Sequence, residues 1–471
     1  MKTKFILLFS IIGFSCAAST YNVGPSREFL TPNALYLSNV LQDGDTIEID
    51  AETYSGTSAL AVWQENDLVI KGINGRPRLD ADGQNIWGKG IWVLAGNDIT
   101  VENIEFFGAT VPDNNGAGIR LDGVGMNVQR CFFHDNENGI LTSNPYAGEI
   151  IIEYSEFANN GYGDGYTHNL YIGHVDKLTF QFNYSHHTNI GHNLKSRANE
   201  NYILYNRIMD EESGNSSRLI DISNGGFSIV MGNLFMQGEN APNNNMIGYG
   251  LEGLSNTTSS EFYFINNTLV NKRTTSCLFL DIHEGATIAK ITNNIFTGSG
   301  EVYNGTIAEL DNNIIEPTIE ELDFVDEQNY NYHINANSAA IDFGIDIIPV
   351  NGNELTPDLH YDHPTNFGIR TINNNLIDAG AYESASISSV FESPIFNLLI
   401  YPNPTSDVIN IEWEGTLYFN VNLFDIKGTL INTFKNKRTI PTAYMSNGTY
   451  LLEIQDLNSA QKIVERIVVE K

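Results

Sequence analysis

The sequence predicts an all-β protein: a right-handed parallel β-helix with an N-terminal helical cap, followed by a small C-terminal β-sandwich. Three observations predict it. The first is a repeat. An asparagine precedes a short apolar pair at intervals of about two dozen residues, at Asn103, Asn183, Asn206, Asn233, Asn267, Asn294 and Asn313, with Arg130 and Ser155 filling the places where the rhythm skips. The second is that a strand-like run comes before each repeat, as in Leu178–Phe182, Tyr202–Tyr205 and Phe262–Ile265. The third is that corners rich in Gly and Asn, residues that tolerate left-handed backbone, separate the runs. Coils with three short strands each, stacked so that side-chain amides bond from coil to coil, account for all three. A β-sandwich of equal length predicts no such register.

The elements follow in order. Lys2 and Lys4, the apolar run Phe5–Phe14 and the small residues Ala17-Ala18 form a secretory signal, residues 1–18, too short to span a membrane. Cys16 invites a lipoprotein reading, which the preceding Gly13-Phe14-Ser15 disfavours. Tyr21-Asn22-Val23 reads as a strand, and Thr31-Pro32-Asn33 opens an amphipathic helix over Ala34–Leu41 that covers the open end of the solenoid. Asp43-Gly44-Asp45-Thr46-Ile47-Glu48-Ile49 begins the first coil, and the β-helix is predicted over 19–385. A linker, 386–396, leads to a last domain over 397–471.

The formal net charge of −32 repels nucleic acid and anionic membranes. It also repels acidic polymers, so an acidic substrate requires a local basic patch. No later stretch offers the run of about 20 apolar residues that a membrane span needs. With the signal removed, Cys131 and Cys277 remain, each in a strand-like run; two buried free thiols are expected rather than a bridge.

The basic patch falls between positions 168 and 218. His168, His174, His186, His187 and His192 lie close in sequence to Lys195, Arg197, Arg207 and Arg218. Counting back from the asparagine ladder puts Tyr171, Lys195 and Asp221 on the same strand of three successive coils. Strand alternation then turns Leu170 and Leu194 inward and Asn169, Tyr171, Asn193, Lys195, Arg197 and Asp221 outward. Such a strip suits a sugar chain. Uronate elimination needs a base for the C5 proton, a positive group at the carboxylate and an acid for the leaving oxygen. Lys195 is the candidate base, provided neighbouring cations favour its neutral amine. Arg197, Arg218 or His192 supplies the charge, and His192, His187 or Tyr171 the proton. A hydrolase would use paired carboxylates such as Asp221 and Glu252; a non-catalytic glycan-binding or adhesin protein would use neither set.

Resemblances sharpen these expectations. Tyr21 to about Arg78 looks like the opening of many β-helix polysaccharide enzymes. Ser338-Ala339-Ala340-Ile341-Asp342 with Asp378-Ala379-Gly380-Ala381-Tyr382-Glu383 resembles the closing motif common after bacterial β-helices. Asn193-Leu194-Lys195-Ser196-Arg197, with Ser217-Arg218 one coil later, is similar to the β-helix lyases of polysaccharide lyase family 6, the chondroitinase B and alginate lyase group. That resemblance implies Lys195 as base and Arg218 as its arginine. The family binds calcium through acidic residues five and seven positions before the lysine; here these are Ile190 and Thr188, so no cofactor is expected to be required. From Ile400 the chain reads YPNPTSDVINI, LFDIKGTLI and MSNGTYLLEI, ending KIVERIVVEK. This resembles the C-terminal sorting domain of the type IX secretion system. The resemblance implies recognition by that machinery, passage across the outer membrane, and release or attachment at the surface. Together these readings predict a secreted enzyme acting on an acidic polysaccharide.

Overall fold

The computed structural model describes residues 18–305, 309–372, 376–384, 398–413, 419–426, 429–456 and 462–471. The signal segment up to residue 17, with Cys16, and the predicted linker 386–396 lie outside the described residues. Two units are present, 1–385 and 386–471.

The first unit is a right-handed parallel β-helix. Each inner coil contributes one strand to each of three parallel sheets, and the incomplete end coils bring these to 12, 11 and 10 strands, taken here as the first, second and third sheets in the order a coil visits them. One coil shows the arrangement: Lys177–Gln181 joins the first sheet, Tyr184–His186 the second and His192–Ser196 the third. Parallel stacking repeats every ~4.8 Å, and like residues on successive coils therefore stack. Phe106, Phe133 and Phe157, all fully buried, lie ring on ring at 4.9 Å. The cap is a helix over Pro32–Ser38, with the Thr31 hydroxyl accepting from the Ala34 amide. It ends three residues earlier than predicted because Asn39 turns left-handed, φ 52°.

The amide ladder runs along the turn between the first and second sheets. Asn183 donates to Asn206, Asn206 to Asn233, Asn233 to Asn267, Asn267 to Asn294 and Asn294 to Asn313, at 2.9–3.1 Å. Each Nδ2 also donates to a backbone carbonyl of the preceding coil, for example Asn206 to Phe180. Two predicted members are displaced by one residue. Asn103 and Arg130 occupy the left-handed position just before the ladder, φ 56° and 52°, so Ile104 and Cys131 hold the ladder place. Ser155 does stand in as expected, accepting from the Cys131 amide at 3.1 Å. Coils range more widely than the predicted two dozen residues, with ladder steps of 34 and 19 residues at the C-terminal end, because loop lengths vary outside the strands.

Cys131 and Cys277 are buried free thiols, and burial pushes both up to about 12. The closing motif forms at the far end: the Asp342 amide donates to Asp378 at 2.7 Å, and buried Arg370 meets Glu383 at 2.7 Å.

The second unit has a three-stranded antiparallel sheet (Leu398–Tyr401, Val408–Trp413, Thr439–Pro441) and a four-stranded one (Phe419–Asp425, Leu430–Lys435, Gly448–Asp456, Lys462–Val469). Ile409, Val421, Leu452 and Ile467 form its buried centre, as in a small β-sandwich. Lys427-Gly428 of the central hairpin lie outside the described residues.

Candidate functional site

Cross-coil pairing on the third sheet aligns Arg120 with Leu141, Leu141 with Tyr171, Tyr171 with Lys195, Lys195 with Asp221 and Asp221 with Gly248. The predicted column is therefore present, and period-two alternation turns it away from the core. The alternation breaks once in the strand His192–Ser196. His192 pairs with Arg218 and Leu194 with Ile220, but the ladder skips Asn193. Both Asn193 and Leu194 turn inward as a result, and His192 joins the face of Lys195, three residues on.

This break corrects two expectations. Asn169 and Asn193 are fully buried and belong to a second amide ladder, which runs Asn136–Asn160–Asn169–Asn193 at 2.9–3.0 Å. Thr188 closes it by donating to Asn193 at 2.8 Å. Their amides hold the corner between the second and third sheets and do not reach the surface. His187 is also elsewhere: its Nδ1 lies 2.6 Å from that of His186, beside the second sheet, and His186 in turn meets Glu156 at 3.3 Å.

The remaining residues converge. Asp221, 1% exposed, has His192 Nε2 and Lys195 Nζ each 3.5 Å from Oδ2 and Arg218 at 3.9 Å from Oδ1. The Ser223 hydroxyl donates to Oδ2 at 2.9 Å. Burial pushes the Asp221 carboxyl up, but bonding and charge from His192, Arg218 and Lys195 outweigh it and hold the group well below the usual carboxylate range. A Cβ at position 248 would lie 2.9 Å from Asp221 Oδ1, so glycine there leaves the carboxylate its space. Asp221 is thus a buried anchor for three basic side chains rather than a substrate contact.

Above it, Lys195 Nζ donates to Glu252 at 2.5 Å, and Arg197 bonds the other oxygen of the same carboxylate. Arg197 also donates to the Tyr171 hydroxyl at 2.7 Å and to Asn224 at 2.6 Å. Burial raises the Glu252 carboxyl, and its bonds to Lys195 and Arg197 bring it below its ordinary value. The nearest charges to Lys195 are therefore carboxylates, contrary to the expectation that cations surround it. His168 stacks on Tyr171 and accepts from the His192 amide at 3.0 Å; burial, then the nearby His192 and Lys195, keep it well below its ordinary value and so neutral. Sequence reasoning missed Asn224, because the register that pairs Lys195 with Asp221 and Ser196 with Ile222 leads from Arg197 to Ser223, one residue short of it.

Calcium does not fit this donor set. Asp221 and Glu252, the carboxylates at the site, are both engaged by cationic side chains, and Thr188 is spent on Asn193. The loops flanking the third sheet carry exposed rings: Trp87, Tyr146, Tyr162 and Tyr166, the last 82% exposed, with Tyr146 stacked on His174 at 4.9 Å.

Residues 399–470 match the family described as the secretion system C-terminal sorting domain. The chain is therefore addressed by the type IX route across the outer membrane, to the cell surface or beyond it. Among the described residues, no helix is long and apolar enough to cross a membrane. No curated protein matches the sequence. Among solved structures, pectate lyase Pel9A is similar at a TM-score of 0.48 and 12% identity, over 79% of this chain and 97% of that one.

Proposed function

We propose that the chain is a secreted polysaccharide lyase that cleaves an acidic, uronate-containing glycan by β-elimination, with Lys195 as general base. One observation carries the reading: in a chain of net charge −32, Lys195, Arg197 and Arg218 gather on one outward strip, and a carboxylate, Glu252, already sits between the first two. Glu252 is 41% exposed, in a turn whose Gly250 and Gly253 have left-handed backbone. A substrate carboxylate that takes its place pairs with Arg197 and leaves Lys195 facing the sugar.

In that arrangement Lys195 acts as base toward the C5 proton, and displacement of Glu252 takes away one of the two carboxylates that favour its charged form. The C5–H electron pair forms the C4–C5 double bond as the C4–O bond breaks, and the departing oxygen takes a proton. Tyr171 suits the last step, because its oxygen accepts from Arg197 and its own proton remains to be given. His192, nearly buried behind Asp221, positions rather than touches. A hydrolase is the weaker reading: its general acid must keep a proton, whereas Asp221 and Glu252 are both held in the ionised form.

The test is incubation of the mature protein with a panel of uronate polymers, following the ultraviolet absorbance of the unsaturated product alongside new reducing ends. Absorbance should rise with wild type and fall at least ~100-fold with Lys195→Ala, a typical loss for a removed general base, with the circular dichroism unchanged. Full elimination by Lys195→Ala overturns the mechanism. Reducing ends without absorbance indicate a hydrolase, and binding alone a glycan-binding module.

A further inference from the structure

On the other side of Tyr171 from Lys195, the third sheet carries a cleft of about 290 Å³ lined by Lys89, Asp113, Arg120, Leu141, Asn144 and Tyr171. Its size is near the lower end of ligand pockets, ~300–1,000 Å³, which is room for a sugar ring and little more. Register fixes its place: Leu141 is one coil from Tyr171 and Arg120 two coils, while Lys195 is one coil away in the opposite direction. At ~4.8 Å per coil, the cleft and the cation cluster are adjacent stations on one groove with Tyr171 between them.

The two stations differ in charge. At the cluster, Lys195, Arg197 and Arg218 outnumber Asp221 and Glu252. In the cleft, Arg120 is paired with Asp122 at 2.7 Å, and Lys89 shares the wall with Asp113. Two positive groups and two negative ones thus stand in or beside the cleft, which leaves it no net charge to draw a second carboxylate. What the cleft offers instead suits hydroxyl groups. Asn144 Oδ1 accepts from the His174 amide at 2.9 Å, which leaves its NH2 to donate. Asn115 donates to the Asp113 carbonyl at 3.3 Å, which leaves its oxygen to accept. Leu141 and the Tyr171 ring give an apolar floor for the C–H face of a sugar.

We infer that this cleft is a subsite for an uncharged sugar, so that the bound glycan places a neutral residue here and a uronate at Lys195. The inference rests on the reading of the Lys195 face as a uronate site. It names the substrate class: a mixed glycan in which uronates are joined to neutral sugars is preferred over a homopolymeric uronan.

The experiment uses the mature chain with two probes of equal length, a galacturonate–rhamnose alternating oligosaccharide and a homogalacturonate. Elimination kinetics and calorimetric binding are measured on both, for wild type, Asn144→Ala and Asn115→Ala. Both asparagines are exposed, so neither change threatens folding. The alternating probe should be favoured about tenfold in kcat/KM or affinity. Each variant should weaken it about 3- to 10-fold, the size of one hydrogen bond, with the homopolymer unaffected. Elimination of both probes without preference, or variants that weaken both alike, overturns the subsite and leaves the lyase reading standing. Preferential binding of the alternating probe, weakened by the variants but without elimination of either, upholds the subsite and overturns the lyase reading.

Discussion

At Glu252 one carboxylate bonds both Lys195 and Arg197, the two side chains that the proposed acidic substrate must reach. It holds the cations in place and competes for them. Removing its charge while keeping its shape separates the two effects. Glu252→Gln should lower KM for an acidic polymer about 3- to 10-fold, the worth of one partly exposed ion pair, readable from initial rates across substrate concentration. An unchanged or higher KM would mean that substrate does not displace Glu252. Asp221 plays the opposite part. Buried under His192, Lys195 and Arg218, it supplies the counter-charge that lets three basic groups share one face of a strongly acidic chain.

Among the elements, the amide ladder at the first turn carries the clearest stability expectation. Asn206 is fully buried and bonds to Asn183, Asn233 and the Phe180 carbonyl. Asn206→Ala strands buried polar groups on both neighbouring coils and should cost about 2–4 kcal/mol, measured by urea unfolding. Asn103→Ala removes bonds to the Gly72 and Gly75 carbonyls and a long one from Arg76, all at a partly exposed turn, and should cost about 1 kcal/mol. The closing segment gives a pH expectation. Burial, then His360, pushes His333 down to about 4; burial, then Arg370, does the same to His360. Both rings pack against Tyr382. A histidine whose folded value lies below its unfolded 6.5 stabilises fully above that pH. Its contribution is lost as pH falls from 6.5 toward 4, by roughly 1–2 kcal/mol for each ring at pH 5. Thermal midpoints should therefore drop between pH 7 and pH 5, and His333→Phe should flatten that slope.

The whole molecule sets a field against its own site. A net charge of −32 repels a polyanion at distances where the cation cluster is not yet felt. Salt screens the long-range repulsion first, because the paired groups at the site lie well inside the ~10 Å Debye length at 0.1 M. The rate constant kcat/KM on an acidic polymer should therefore rise from low salt to ~0.1–0.15 M and fall beyond it. A monotonic fall would show that local attraction dominates throughout. The same acidity suits the solubility of a chain that the sorting domain directs out of the cell.

The sequence by itself determined the coil repeat, the ladder from Ser155 to Asn313, the outward column from Tyr171 to Asp221, and the sorting domain. Each is a periodic or contiguous pattern, and stacking at one spacing turns sequence distance directly into spatial register. Only the tertiary structure decided the rest. The strand irregularity at Asn193 sent two asparagines inward and brought His192 to the site, and no period-two count contains it. The second ladder steps 24, 9 and 24 residues, so it has no fixed interval to detect. Glu252 reaches Lys195 across 57 residues from a loop, and the neutral cleft joins side chains from four coils. Loops escape the repeat because nothing in coil stacking constrains their length, and Glu252, the carboxylate that occupies the cations of the strand residues, is one of the groups they carry.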